Sequence, residues 1–449
     1  FVWDNIAPRV GLSYDWTDEG KSRLYASYGW FYQPLPLQLN SRVFGGLVQV
    51  GRTYRNSDCQ GQTTTTSDGD AHPRVEKGLP TEYCTDARSY TTGLTEGAVV
   101  PRLRGQYNQQ FQMGYEQEII EDLTLGVRWL HNDLGRAVED ISTDGGNNFI
   151  IANPGVAVAA GDITAQQNRC NDLENQLDAS AMEDPNRPDL ARQLHRCEFL
   201  VDAYSKVGTE FARPRRTYDA FTFEVRKRFA RNWMFSGSYT YSRLVGNTDG
   251  FVDPITGSVN LGASSQYDLP ELVRNSFGPL STNTPHRVRF DGFYTFDLKE
   301  AGRMTLGSSF RYQSGYPISL RGSNNRYGVG SVYVVPRGAG GRVEGNYNWN
   351  LSLAYGYPLK DDLELEVAVR WFNVTNAKSA LRVDEIYSFD TTRAVAGADL
   401  SDVKHTKVQS AGRPGEFFQR DVIAPQGNYG VRTAFQNPTA AQIDVVLRF

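Results

Sequence analysis

The stretch GNYNWNLSLAYGYPLKDDLELEVAVRWFNVTNA, residues 345–377, decides the fold. Every second residue of the segment 347–357 is large and apolar or aromatic, whereas the residues between them are asparagine, serine, alanine or glycine. The alternation resumes over 363–371 after a short polar segment. A period of two predicts β-strands, and two such runs joined by a short turn predict a hairpin.

The same pattern recurs along the 449 residues and predicts eleven strands. Five of the connections between them are tight turns, at 17–21, 120–122, 230–232, 299–302 and 358–362. These alternate strictly with five long connections, at 33–105, 133–217, 243–285, 314–342 and 374–438. Long loops are uncommon in compact soluble domains, and a sheet with short turns at one rim and long loops at the other is typical of a transmembrane β-barrel.

A soluble β-sandwich also has alternating strands, so the positions of the aromatic residues must decide between the two folds. In the strand 347–357, aromatic residues lie at both ends and leucines lie between them. About ten residues at a rise of about 3.3 Å, tilted by about 40°, span roughly 25 Å, which is the height of a barrel's apolar band. We therefore expect an all-β chain that forms a transmembrane antiparallel β-barrel, with lipid on the aromatic face and a polar lumen on the other.

Charged residues on the polar face support this orientation, because a charge that faces lipid near the midplane costs about 2–4 kcal/mol. The charged residues expected to line the lumen are Glu224, Arg226, Arg228, Arg287, Arg289, Asp291, Arg303 and Arg311. They form a solvated wall, or some of them bind a substrate directly. The pattern alone does not choose between these interpretations.

Six segments together resemble TonB-dependent outer-membrane transporters, and especially the Oar-like group. They are NIAPRVGLSYD (5–15), YASYGWFYQP (25–34), TPHRVRFDGFYTFDL (284–298), YQSGYPISL (312–320), WFNVTNA (371–377) and the terminal IDVVLRF. The last strand also resembles the signal that the outer-membrane assembly machinery reads, with Ile443, Val445, Leu447 and a terminal Phe449.

The resemblance implies a barrel of 22 strands, an N-terminal plug and a short box that engages TonB. Eleven strands are half of that number, so we expect residues 1–449 to be the C-terminal half of a barrel that belongs to a longer polypeptide or to two chains. The implied partners are outer-membrane lipid, the plug, the remaining strands, the TonB system and, at the long loops, surface proteins. The implied location is a bacterial outer membrane, with the long loops outside and the short turns in the periplasm.

The four cysteines, Cys59, Cys84, Cys170 and Cys197, lie in two of the long loops. An even number in an oxidising compartment favours disulfides over a metal site. Of the three pairings that four cysteines allow, pairing within each loop closes the shortest loops. In the loop 133–217, two helical stripes each carry a cysteine and are separated by the proline-containing segment 183–188, which predicts a helical hairpin joined through Cys170 and Cys197.

Motifs for catalysis, metal binding and nucleic-acid binding are weak or missing from the sequence. No G-x-S-x-G motif occurs, the GKS at 20–22 lacks the upstream glycine of a phosphate loop, and the five histidines have no zinc-site spacing. The loop 247–257, with Asp249 and Asp253, is either a calcium loop with an incomplete acidic pattern or an ordinary Asx-rich turn. A net charge of −4 without basic clusters excludes a nucleic-acid surface.

These observations predict a protein without enzymatic activity, catalytic residues, cofactor or metal. The resemblance implies energised transport across the outer membrane, with this chain as part of the barrel wall and the surface loops. The alternative is a surface-binding or adhesive outer-membrane barrel without energised transport. The substrate cannot be read from the sequence.

Overall fold

The computed structural model describes residues 5–34, 48–53, 87–92, 99–146, 148–251, 265–324, 328–360, 363–395, 399–406, 408 and 422–449. The chain divides into two compact units, one made of residues 1–35 with 100–449 and one made of residues 36–99. In the second unit, the strands Val48–Thr53 and Ala87–Thr92 form an antiparallel pair. The first unit contains the main sheet, described next.

Eleven strands follow one another through the main sheet in chain order, and each is antiparallel to its neighbour. They are β1 (Arg9–Tyr14), β2 (Ser22–Tyr32), β3 (Tyr107–Ile120), β4 (Leu123–Arg136), β5 (Arg216–Ala230), β6 (Trp233–Gly246), β7 (His286–Asp297), β8 (Arg303–Gln313), β9 (Asn346–Lys360), β10 (Leu363–Phe372) and β11 (Ala440–Arg448). A short segment, Gly278–Pro279, extends the sheet beside the end of β6. The predicted antiparallel sheet of eleven strands is therefore confirmed.

The strand ends that the short connections join all lie at one end of this sheet, and the strand ends that the long connections join all lie at the other. The β5–β6 turn consists of Arg231 and Asn232, both with positive φ, which is the backbone twist that a two-residue hairpin turn requires. In the β7–β8 turn, Gly302 has a φ of 92°, and a Cβ there would lie 2.0 Å from the Gly356 carbonyl oxygen. Only glycine fits this position.

Five predicted connections were too long, namely 120–122, 133–217, 230–232, 243–285 and 358–362. The predicted turn 358–362 is wrong at its start, because β9 continues to Lys360 and Pro358 pairs with Glu364. Proline is tolerated there because the pairing of β9 with β8 stops at Gly356, so the second edge of β9 has no partner strand at Pro358. The predicted loop 133–217 is also shorter, since β4 extends to Arg136 and β5 begins at Arg216.

The sheet is not closed, since β1 and β11 are its two ends and no pairing joins them among the described residues. The segment VGSVYVV at 329–335 alternates weakly and is a candidate for a twelfth strand of the main sheet. Residues Gly328–Tyr333 do form a strand, but it pairs with Arg321–Asn324 in a separate three-stranded sheet that also contains Ile386–Thr391. This segment therefore adds no strand to the main sheet.

A helical hairpin lies within the connection between β4 and β5, as predicted. Its helices are α1 (Ala160–Ala179) and α2 (Arg187–Lys206), and Pro188 lies in the first turn of α2, where its missing N–H costs nothing. The disulfide between Cys170 and Cys197 joins the two helices, with 5.5 Å between the Cα atoms. None of the helices in the described part of the chain is long and apolar enough to cross a membrane.

The buried core of the first unit lies mainly in the long connections. The largest cluster joins α2 to the hairpin Glu139–Ile141 with Ile150–Ala152 and to the 3₁₀ turn Ser265–Tyr267. A second cluster joins Leu269 and Leu272, which follow β6, to Val332 and Ala394 from the last two long connections. Val100, which precedes β3, also belongs to the first cluster, so residues of all five long connections pack into one layer, which we call the loop layer. The short pair Ala380–Val383 with Arg432–Phe435 also lies in the last of these connections.

Candidate functional site

The outward face of the main sheet is apolar and aromatic, and its large side chains are solvent-accessible. In β9, the side chains of Tyr347, Trp349, Tyr355 and Tyr357 are between 37% and 46% exposed. The register places Phe310 of β8 beside Trp349. Since soluble proteins rarely expose so large an apolar surface, this face fits contact with lipid.

The opposite face carries charges that pair across neighbouring strands. Arg303 of β8 forms an ion pair of 2.7 Å with Glu364 of β10. Arg448 of β11 forms an ion pair of 2.9 Å with Glu366 of β10. Further along the sheet, Arg228 of β5 lies 3.0 Å from Glu118 of β3. The predicted polar wall is therefore present, and these residues hold one another in ion pairs.

A second group of charges is buried in the loop layer, where Asp249 and Arg337 form an ion pair of 2.5 Å. The other carboxylate oxygen of Asp249 accepts a hydrogen bond from Ser281 at 2.9 Å. Burial opposes the charge of Asp249, but the Arg337 guanidinium and the Ser281 hydroxyl outweigh it and hold the pKa of this carboxyl below its usual value. Both carboxylate oxygens of Asp249 thus have a partner in the protein, which favours the ordinary turn over the calcium loop. Asp253 lies outside the described residues, so the choice between these two interpretations of the loop 247–257 remains a prediction.

Tyr333 connects this ion pair to a second arginine. The guanidinium groups of Arg321 and Arg337 lie 5.0 and 5.3 Å from the centroid of the Tyr333 ring. Arg321 also donates a hydrogen bond to the Tyr333 hydroxyl at 3.1 Å and lies 3.5 Å from Glu385. Charges from three long connections thus meet around one aromatic ring.

Asn275 lies beside this group and fixes the backbone of two connections. With a positive φ of 62°, its amide donates to the carbonyl oxygens of Val334 at 3.0 Å and Val395 at 2.9 Å. Sequence reasoning missed all of these loop residues except Asp249. Their pairings join segments far apart in the chain that have no periodic pattern, so no local signal could have found them.

Buried carboxyl groups meet between the connections that follow β4 and β6. Glu139 accepts a hydrogen bond from Thr248 at 2.9 Å, and Ser142 donates its N–H to the Asp268 carbonyl oxygen at 2.9 Å. Burial, with Asp140 and Glu139 close by, raises the pKa of Asp268 to about 9. Burial therefore favours the protonated form of this carboxyl. Among the described residues, no group of three or more histidine, cysteine or acidic residues is arranged to hold a metal ion.

The remaining predicted site residues lie apart from these clusters. Cys170 and Cys197 are joined in the helical hairpin, whereas Cys59 and Cys84 lie outside the described residues. The side chains of Ile443, Val445 and Leu447 lie on the outward face of β11 and are at least half exposed, as is that of Phe449 just beyond the strand. No observation tests whether they form an assembly signal, and this remains a prediction.

Comparisons with known proteins agree with the sheet and its two faces. Residues 2–447 match a family model described as an outer membrane beta barrel domain. The TonB-dependent transporter Oar of Myxococcus xanthus is 25% identical over 459 residues, an alignment that covers 99% of this chain. The chain spans 38% of the length of that relative. The predicted resemblance to TonB-dependent transporters of the Oar-like group is confirmed.

Solved structures to which this chain is similar include two outer-membrane transporters. The outer membrane transporter YddB from Escherichia coli has a TM-score of 0.43 and 12% identity, with 85% of this chain and 38% of that chain covered. The ferric citrate transporter FecA has a TM-score of 0.39 and 10% identity, with 98% of this chain and 38% of that chain covered. Since the family model matches nearly every residue, this chain, with its lipid-facing sheet and charged inner wall, belongs to the outer membrane beta barrel domain family.

Proposed function

We propose that this chain is part of a TonB-dependent active transporter or receptor, in which it forms part of the barrel wall and the surface loops. The observation that carries the proposal is the similarity to the Oar transporter over 99% of the chain. The charged inner face of the sheet supports it, because a water-filled or plug-filled lumen needs such a wall. The plug, the remaining strands and the TonB system are the partners that this function requires.

We propose further that the short turns face the periplasm and that the loop layer faces outward. In barrels of the outer membrane the periplasmic turns are short and the extracellular loops long, which matches the two ends of this sheet. In this orientation the helical hairpin and the Asp249–Arg337 ion pair lie on the cell surface. We also propose that Ile443, Val445, Leu447 and Phe449 form the assembly signal.

The decisive experiment compares cells with and without the full-length gene, each with and without a protonophore that collapses the inner-membrane proton gradient. The measurement is the set of medium components that accumulate in the periplasm. Transport predicts at least one component whose accumulation needs both the gene and the gradient. If the only gene-dependent effect is binding of a component to the cells, and the protonophore does not change the amount bound, the surface-binding barrel is indicated and energised transport is contradicted.

The absence of enzymatic activity remains part of this proposal. The relative that aligns with 99% of this chain is a transporter, which supports this part of the proposal. Asp249 with Arg337 in the loop layer, and Arg303 with Glu364 on the polar face, are charged groups that pair with one another. We therefore assign no catalytic residue.

A further inference from the structure

The arginines of the polar face are nearly all compensated by a neighbouring group. Two on the first strands lie over aromatic rings, with Arg9 at 4.6 Å from the Phe31 centroid and Arg23 at 4.9 Å from the Tyr25 centroid. Six others lie within 4 Å of a carboxylate, namely Arg128, Arg226, Arg228, Arg303, Arg370 and Arg448. This face therefore balances its positive charges almost everywhere.

The exception lies on β7 and β8, in the half of the sheet nearer to the loop layer. The register places Arg289 of β7 directly opposite Arg311 of β8, and Arg287 is the next residue of β7 on the same face. Asp291 pairs with Arg311 at 2.8 Å. Arg287 donates its Nε–H to the Thr284 hydroxyl at 2.7 Å. Within the described part of the chain, no carboxylate lies within ion-pair distance of Arg287 or Arg289.

The strands on either side supply polar groups but no compensating charge at this height. Ser238 and Thr240 of β6 lie opposite Arg289 and Arg287, and Asn348 of β9 lies opposite Arg311. The Asn348 side-chain oxygen is buried and has no hydrogen-bond partner among the described residues. Glu224, one strand further away, is the nearest carboxylate in this row, and its contacts are with Arg128 and Arg226.

Like charges directly opposite each other in a sheet are destabilising. Three guanidinium groups against one carboxylate therefore cost stability in the isolated chain. Features that break a local rule without a visible compensation are expected at functional sites. Guanidinium groups also have the fixed fork of donors that fits carboxylate and phosphate groups.

We propose that Arg287, Arg289 and Arg311 form a binding site for an anionic group, a carboxylate or a phosphate, on the molecule that enters the lumen from the loop end. This inference rests on the proposed transport function and adds the substrate's charge to it. Arg311 is held in place by Asp291, while Arg287 and Arg289 keep donors free for the ligand. The rival occupant is an acidic side chain of a protein segment inside the barrel, and the experiment below separates the two.

The test uses full-length protein reconstituted in bilayers, with Ser238→Cys introduced beside Arg289. The modification rate of the introduced thiol is measured with an anionic and with a cationic methanethiosulfonate reagent at low salt. Local positive potential raises the rate of a steered anion by about tenfold or more. We expect the anionic reagent to react about tenfold faster than the cationic one, and this ratio to fall to near unity when Arg287→Gln and Arg289→Gln are added.

A matched control carries Arg370→Gln instead, which removes a compensated arginine of the same face, and should leave the ratio unchanged. Inorganic pyrophosphate at constant ionic strength should slow the reaction of both reagents with the thiol in the parent and of neither reagent in the double variant. Pyrophosphate bound at the arginines blocks access of both reagents to the thiol. Screening of the positive potential alone would slow the anionic reagent and speed the cationic one. The parent protein without Ser238→Cys gives the background, and heat-modifiable migration on gels confirms that each variant is folded.

A ratio near unity in the parent, or one unchanged by the double substitution, would overturn the proposal. Complete protection from both reagents without added anion would also overturn it, in favour of a protein segment that covers the arginines. The labelling needs no uptake, so it can fail while energised transport still holds, and the protonophore experiment can fail while the anion site still holds.

Discussion

Asp249 and Arg337 form a buried ion pair of 2.5 Å that joins the connection after β6 to the connection after β8. The side chain of Arg337 is 2% exposed and that of Asp249 is 13% exposed, so neither charge can be solvated if its partner is removed. Burial opposes the charge of Arg337, yet Tyr333 and Asp249 outweigh it and raise its pKa. This pair ties together two long connections that share no secondary structure.

Replacing the acid of this pair should therefore loosen the loop layer while leaving the main sheet intact. Removing one partner of a buried ion pair costs about 3–5 kcal/mol, because the other charge stays buried without compensation. We expect Asp249→Ala to speed hydrogen exchange in peptides that cover residues 328–340. The control Ser281→Ala removes one hydrogen bond to the same carboxylate and should cost only about 1 kcal/mol. Equal exchange in Asp249→Ala and in the parent would contradict the assigned role.

The stability of the loop layer should fall as the pH rises through the neutral range. The pKa of Asp268 is about 9 in the folded protein, whereas a carboxyl group in an unfolded chain has its ordinary value of about 4. Between these two values the unfolded chain has released a proton that the folded protein keeps. The contribution of Asp268 is therefore fully present below the lower value and is lost progressively as the pH rises to the upper one.

Asp268→Asn tests this dependence, because the amide keeps the shape of the neutral carboxyl and cannot ionise. Denaturant unfolding of the helical hairpin, followed by circular dichroism, should give a smaller loss of stability between about pH 5 and about pH 8 in the variant than in the parent. The hairpin is a suitable reporter because Tyr267, next to Asp268, packs in the same cluster as α2. An unchanged pH dependence would show that Asp268 does not carry the buried proton.

The disulfide between Cys170 and Cys197 should stabilise the helical hairpin through the loop that it closes. A closed loop of about 28 residues is worth roughly 3.5 kcal/mol in the chain-entropy model. We expect Cys170→Ser with Cys197→Ser to lower the unfolding temperature of the helical signal, and a reducing agent to have the same effect on the parent only. Non-reducing peptide mapping should recover the linked peptides, and the same map tests the predicted pairing of Cys59 with Cys84.

The orientation in the membrane can be tested with single introduced cysteines in intact cells. Met182 lies between α1 and α2 and is 86% exposed, so a thiol there should react with a membrane-impermeant reagent. A thiol introduced at Glu19, in the β1–β2 turn, should react only after the outer membrane is permeabilised. Labelling of Glu19→Cys in intact cells would show that the β1–β2 turn faces outward, and would contradict the proposed orientation.

The strands and their order could be predicted because their signal is local. In β9, the alternation of tyrosine, tryptophan and leucine with asparagine and serine fixes the face of each residue without knowledge of its neighbours. The helical hairpin was predicted for the same reason, since each cysteine lies on a helical stripe. Boundary errors arose where a local rule was applied too strictly. The rule that proline ends a strand placed Pro358 in a turn, but Pro358 lies inside β9, beyond the last pair with β8.

The loop layer could not be predicted, because its contacts join residues that no period relates. Asn275 contacts Val395 across 120 residues, and Arg337 contacts Asp249 across 88. The arginine site shows an intermediate case. The sequence placed Arg287, Arg289 and Arg311 on the polar face, but only the register between β7 and β8 shows that Arg289 and Arg311 lie opposite each other.

The central claim is that one face of this sheet contacts lipid and the other a polar lumen, and neighbouring residues of β9 test it most directly. Spin labels at Leu351 and at Asn350, each in full-length protein in bilayers, would be compared for relaxation by oxygen and by a water-soluble nickel complex. The label at Leu351 should respond more strongly to oxygen and the label at Asn350 to the nickel complex. Equal responses at both positions, or the reverse order, would contradict the assignment of the two faces.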